Sequence, residues 1–564
     1  MKLILPRVSI CRMCKWILLI LIGFLFVYPF IKLVFLSFQT KQGIGLANYL
    51  EIFRDPMTWS TVKNSILVTV NSSILAIVFG GFLAWVCAYT DVRLKNWMQV
   101  FVFVPYVIPS YVMTIAWTQF IGPAGLINRW ASTMAGHKMI IWDVYGLNGM
   151  VLLLALTNYP LVFLITRSVL YRIPRDLELA AKIAGARNIH VFRKIILPMA
   201  LPGLAGGGLL AFISSLDNFG IPSFLGIPKG ISVLSTFIYE QVVGYNSNNF
   251  AKAAVLSIIL GIIALLGTAV QWFLVRNSKT DQTFSEDRSI RFSFGKYRLI
   301  IEIGIWLFFL VTSVFPLLAM IQTALIKAYG LPFTLKNLTW SNFTFILQNN
   351  DASQNAIKNS LMLACATALL CVLIGTVFAY WRVKKPTLLA KAMEWAITLP
   401  YAIPGMVLSL SLILTWSEPI SGWKPGIYGT TWMIFIAYMT RFLVLQIRTS
   451  SASILQVGEE VEEAASIHGG RWLTRWKKIL VPLYSPGIVT GACLVFLTSL
   501  SELTVSSLLW SAGNETIGVV IFNFEQEGST TYSTAFSTLI VLAILVFIVT
   551  GSLVKKFWIR RVKL

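Results

Sequence analysis

Residues able to do chemistry are few in this chain and widely scattered. His137, His190 and His468 stand far apart, and no HExxH or second cysteine pair joins them into a metal site. Cys11 and Cys14 form one CxxC beside Arg12 and Lys15, and a lone pair is a weak metal signal. Cys87, Cys365, Cys371 and Cys493 lie in apolar segments and read as small hydrophobes. No GxxxxGK[ST] occurs, only Gly295-Lys296-Tyr297, so no loop cradles nucleotide phosphates. Asp217, Arg441 and Glu502 fall inside apolar segments, where an ionisable group marks function by default. Two readings stay open for these three: an internal ion pair or a place near the outer face, or the lining of a path or gate. No nucleophile–base pair accompanies them, so an intramembrane enzyme has no reacting constellation.

What does recur is a spacing of small residues. "LELAAKIAGARNIHVFRKIILPMALPG" at 177–203 answers "VEEAASIHGGRWLTRWKKILVPLYSPG" at 461–487. At a constant offset of 284, Ala180, Ala181, Gly185, Ile195, Pro198, Pro202 and Gly203 meet Ala464, Ala465, Gly469, Ile479, Pro482, Pro486 and Gly487. Ala181 and Gly185, like Ala465 and Gly469, are four apart and share one helical face. Small side chains there leave a low ridge that another surface can approach, and the glycine can end the helix and turn the chain. Pro198 and Pro482 then mark where the chain re-enters the membrane. One such segment would suit a helix lying at anionic lipid. Two matched copies point to a pair of docking surfaces for a partner that is itself two-fold.

The elements that carry these segments are membrane spans. The chain has 564 residues, 57% hydrophobic and 12% charged, against about half and about a quarter in soluble domains. Apolar segments run over 16–38, 62–89, 97–121, 146–166, 201–224 and 252–275, then 299–325, 357–381, 392–415, 429–447, 484–510 and 534–554. Each is long enough for a spanning helix. The first is too long for a cleaved leader and reads as a retained span. With the N-terminus inside, the cytoplasmic segments 1–15, 91–97, 167–198, 276–298, 382–391, 448–478 and 555–564 hold 33 of the 46 lysines and arginines. That bias places both termini in the cytoplasm. It also accounts for the net charge of +23 without nucleic acid.

The halves repeat beyond these loops. "KNSILV" at 63–68 answers "KNSLML" at 358–363, and "VPYVIPSYV" at 104–112 answers "LPYAIPGMV" at 399–407. Pro105 and Pro109 thus match Pro400 and Pro404, as hinges or as packing features. The expected fold is an all-α polytopic membrane protein of about twelve transmembrane helices. Residues 1–276 form one six-helix repeat, 277–298 a cytoplasmic linker and 299–564 the second repeat. An even span number per copy makes the repeats parallel, related by an axis along the membrane normal.

The pattern EAA, three residues, Gly, nine residues, Ile-x-Leu-Pro resembles the cytoplasmic loop signature of permease subunits of binding-protein-dependent ABC importers. The second copy has Glu463-Ala464-Ala465, Gly469, Ile479 and Val481-Pro482. In the first, Leu179 stands where the signature has glutamate, with Glu178 one residue earlier. The resemblance implies a type I importer permease of the bacterial plasma (inner) membrane, with no catalytic residue and no cofactor of its own. It implies two copies of a cytoplasmic ABC ATPase, carrying ATP and magnesium, docked at Glu178, Ala180, Ala181, Gly185, Glu463, Ala464, Ala465 and Gly469. An extracytoplasmic solute-binding protein would meet the outer loops 39–61, 122–145, 225–251, 326–356, 416–428 and 511–533. Two copies in one chain, with "SLDNFGIPSFLG" at 215–226 and "SELTVSSLLW" at 501–510, look like the fused iron(III) permeases. Related fused permeases carry 2-aminoethylphosphonate or thiamine. An ion-driven secondary transporter is the alternative of another class, and it would work without an ATPase.

Overall fold

The structure is a computed structural model that describes residues 18–40, 43–244, 249–276, 287–417, 426–467 and 472–562. Lipid offers no hydrogen-bond partner to open backbone, so spanning segments close their bonds internally as helices. Nine helices among the described residues are long and apolar enough to cross a bilayer, or up to twelve if each of three bent pairs is one span.

The bent pairs follow from proline chemistry. Lys95–Val107 meets the next helix at 99°, and Leu388–Ala402 meets Gly405–Ser417 at 109°. Pro105 and Pro400 sit inside their helices, whereas the chain breaks at Ile108 and Ile403. Both residues precede a proline, which disfavours the helical conformation, and both are extended, with ψ 132° and 141°. Pro109 and Pro404 therefore make the bends, and the half-helices beyond them, Ser110–Ile121 and Gly405–Ser417, are almost wholly buried.

Two expected boundaries shift. The third bent pair, Gly220–Lys229 with Leu234–Val243 at 76°, occupies much of what reads as an outer loop at 225–251. Segment 429–447 forms the helix Thr431–Leu455, which is not among the nine apolar spans. It buries Arg441 and Gln446 among neighbouring side chains, so it needs less apolar surface.

The described chain folds as two compact units, one of residues 1–54, 238–258 and 351–520, the other of 55–237, 259–350 and 521–564. They do not coincide with the sequence repeats. In the first unit, Leu18–Phe38 packs on Gly405–Ser417: Phe24 meets Trp416 edge-on at 5.7 Å, and Lys32 Nζ donates to the Leu414 carbonyl. In the second, Gly295–Ala324 packs on Ser110–Ile121 through Phe120 with Phe315 at 6.2 Å and Thr323 Oγ1 to Gln119 Oε1 at 3.1 Å. Each repeat thus contributes its first span to the unit built on the other's central helices.

Within each unit, three helices cross at glycines. A Cβ on Gly80 would fall 2.5 Å from the Tyr159 carbonyl oxygen, and one on Gly207 2.6 Å from Val162 Cα. In the other unit, Gly375 lies against Gln446, and Gly491 against Thr449 and Gln446. Small residues at crossings are how helices approach in lipid, where the hydrophobic effect does not drive them together.

Candidate functional site

The two recurring loops can be built residue by residue. In the first, Pro174 stands at the N-cap, and its fixed φ of −64° leads into the helix Arg175–Ile183. Asp176 and Glu178 occupy its first turn and Lys182 its last, each sign favourable to the helix dipole. Gly185 ends it with φ +84°; its N–H donates to Lys182 O at 3.0 Å and that of Ala186 to Ala181 O at 2.9 Å. This is the Schellman closure, and it confirms the turn expected of that glycine. The second loop carries the helix Glu459–Ile467, while Gly469 lies outside the described residues.

The helices that carry Pro198 and Pro482 begin well before those prolines. The helix that follows the first loop begins at Asn188, ahead of Pro198, and runs unbroken to Asp217. Pro198 is accommodated by a π-helical turn at Phe192–Ile196, closed by Leu197 N–H to Phe192 O. Trp476–Leu480 does the same ahead of Pro482, closed by Val481 N–H to Trp476 O. Widening the turn places the missing proline N–H without ending the helix. Ile195 and Ile479 are half-buried within these turns.

The two helices present matching surfaces. Ala180 and Ala464 are exposed, and Ala181 and Ala465 half-buried beside them. One position further along the same face, Ile183 is 89% and Ile467 82% exposed. The two correspond at the offset of 284, as do exposed Leu177 and Val461. Large apolar side chains thus stand uncovered at the same place in both loops. The small-residue pattern locates these helices but passes over the isoleucines. Their signal is the alignment itself, which pairs them as it pairs the alanines.

Glu178 does not share that surface. It is 5% exposed and forms an ion pair with Arg291 of the segment joining the repeats. The offset sets it opposite Glu462, not Glu463. Glu462 is likewise held, by the Tyr380 hydroxyl and by Lys384 Nζ at 3.3 Å. Glu463 is exposed. An equivalent aromatic contact underlies each loop: Trp85 with Phe192 at 6.2 Å, and Tyr380 with Trp476 at 4.8 Å.

The three ionisable groups of the apolar segments lie in different settings. Glu502 accepts from Val505 N–H at 2.8 Å and Ser506 N–H at 3.0 Å, capping the turn Ser506–Leu509. Its counterpart at the offset is Asn218, whose Oδ1 accepts from Ile221 N–H at 2.9 Å, and not Asp217. Asp217 ends its helix, half-buried. The Arg441 guanidinium lies against Gly405, where a Cβ would meet Nη1 at 2.1 Å and Thr504 at 3.0 Å. Among the described residues, no group of three or more His, Cys, Asp or Glu could hold a metal ion.

Bent half-spans, glycine-packed triplets of helices and a pair of polar loops with uncovered apolar tips make this a helical membrane protein with an internal repeat. Residues 76–279 and 371–564 each match the family described as the binding-protein-dependent transport system inner membrane component, and the chain belongs to that family. It is similar to the ferric transport system permease protein FbpB of Actinobacillus pleuropneumoniae, 25% identical over 94% of this chain and 76% of that one. It is 24% identical to the Fe(3+)-transport system permease protein FbpB 2 of Haemophilus influenzae, over 93% of this chain and 95% of that one. The sulfoquinovosyl glycerol transport system permease protein SmoG of Agrobacterium fabrum is 26% identical, over 46% of this chain and 87% of its own. The chain is thus a fused, two-copy permease subunit of a binding-protein-dependent ABC importer, a multi-pass inner-membrane protein and not an enzyme.

Proposed function

We propose that the helices Arg175–Ile183 and Glu459–Ile467 are the two docking points for a pair of cytoplasmic ABC ATPase subunits, and that the cargo is iron(III). ATP and magnesium stay on those subunits. A single extracytoplasmic binding protein delivers the cargo to the outer loops. Both termini, and both docking helices, face the cytoplasm. Nucleotide binding moves the two helices and shifts the permease between inward and outward access, two states biased by ligands at both ends.

The observation that carries the docking assignment is the matched exposure of Ile183 and Ile467 on helices each anchored by an equivalent glutamate. An aspartate at either tip puts a charge into an apolar contact without disturbing a packed core. The Ile183→Asp/Ile467→Asp variant should insert normally and lose ATP-driven uptake by about tenfold or more, the scale of an interface anchor. Uptake at the wild-type rate would remove these helices from the coupling path.

Iron(III) is supported by ferric permeases that align over nearly the whole chain. Liposomes holding the permease, its ATPase and the cognate binding protein should accumulate radiolabelled iron(III) in an ATP-dependent manner. Accumulation of 2-aminoethylphosphonate or thiamine in place of iron would transfer the same machinery to that solute.

A further inference from the structure

Glu178 and Glu462 hold the same place in the two repeats, yet the cations that pair with them come from different parts of the chain. Lys384, at the end of the helix Asp351–Lys384, supplies the second. The first-repeat equivalent of Lys384, by the 295-residue offset of "KNSILV" and "KNSLML", is Tyr89, which ends Pro56–Tyr89 and carries no charge. Arg291 stands in. Its guanidinium lies 4.3 Å over the Tyr89 ring, pairs with Glu178, and donates to the Ile173 carbonyl at 2.6 Å and Asp287 at 3.1 Å. Its side chain is 3% exposed.

The segment around Arg291 is bound along its length. Arg291 and Phe292 N–H both donate to the Tyr89 carbonyl at 2.9 Å, and Asp287 N–H to Tyr171 O at 2.7 Å. Ser293 Oγ and Phe294 N–H donate to the Asp91 carboxylate at 2.5 and 3.2 Å. Phe292 and Phe294 pack on Trp85 at 5.7 and 6.0 Å. Between the helix Arg175–Ile183 and the span ends lies a cavity of ≈ 570 Å³, reached by Phe82, Trp85, Glu178, Lys182, Phe192 and Arg291.

We propose that residues 287–298 are a strap rather than a passive linker, and that Arg291 is a positioning residue that sets the first docking helix by supplying the cation that Lys384 supplies in the second. The proposal rests on the docking role above and acts through Glu178.

Hydrogen exchange of the purified full-length permease, with no ATPase present, reads the strap by itself. Arg291→Ala should speed exchange at residues 176–184 on the order of tenfold, as expected for losing a charged hydrogen bond, and leave 460–467 unchanged. Lys384→Ala should do the reverse. Arg291→Lys should stay near wild type, and Arg291→Ala/Tyr89→Lys, which installs the second repeat's arrangement, should regain protection. Unchanged exchange at 176–184 in Arg291→Ala overturns the strap. So does equally fast exchange in Arg291→Ala, Arg291→Lys and the Tyr89→Lys double variant, since that means lost packing and not a placed charge. Uptake separates the two levels: if exchange follows the prediction and ATP-driven uptake does not fall, the strap stands and the docking role fails.

Discussion

Gly185 shows how a single residue frames the docking surface. A Cβ there meets nothing within 4 Å, so the only obstacle to a side chain is the backbone at φ +84°. Gly185→Ala should therefore cost about 1–2 kcal/mol of local stability at the end of the helix. It should appear as faster exchange at residues 182–186 with the remaining spans unaltered; an unaffected helix end would contradict the Schellman closure. At this scale the sequence was partly legible. The alanines and Gly185 located the helix because small residues at i and i+4 are conspicuous in an apolar chain. Ile183 and Ile467 were not legible alone, because an isoleucine in a sequence gives no sign of which way it faces. Glu178 read as a displaced signature glutamate, whereas its burial against Arg291 depends on a contact 113 residues away.

At the scale of elements, the proline pairs divide their labour. Pro105 and Pro400 are tolerated within helices, while Pro109 and Pro404 force the preceding isoleucine out of the helical region. Pro109→Ala should depress uptake several-fold more than Pro105→Ala, in parallel assays at equal membrane levels. Equal effects would place the bend elsewhere. The strap makes a pH prediction. The Ser293 hydroxyl beside Asp91 holds its carboxyl below the usual 3.8, and the Ser289 N–H does so for Asp287. A lowered carboxylate pKa contributes stability above the ordinary value that is lost only as pH falls through the lowered one. Exchange at residues 287–294, corrected for intrinsic rates, should thus be the same at pH 7.5 and pH 5. Release of the segment by pH 5 would sink that attachment. Hydropathy revealed most spans because bilayer thickness dictates their length. It missed the bent pair at 220–243, whose pieces are individually too short, and misjudged where the helices at Pro198 and Pro482 begin, because π turns leave no apolar signature.

At the scale of the whole molecule, internal repetition was visible, but the exchange of first spans was not. Periodicity says which segments cross the membrane, not which neighbours they choose. Since each compact unit draws on both repeats, residues 1–280 or 281–564 expressed alone should fail to accumulate in the membrane. Co-expression of the two pieces should restore both. Stable accumulation of either piece by itself would show that each repeat is self-sufficient.

The central claim is that one chain offers two equivalent docking helices to a nucleotide-driven partner. Cross-linking tests it most directly, with Ile183→Cys and Ile467→Cys placed singly and together in a permease otherwise free of cysteine, and the cognate ATPase added. Each site alone should capture one ATPase copy, and the pair should place two copies on a single 63.0 kDa permease chain. Cross-linking at neither site, in a complex that still drives uptake, would contradict the account.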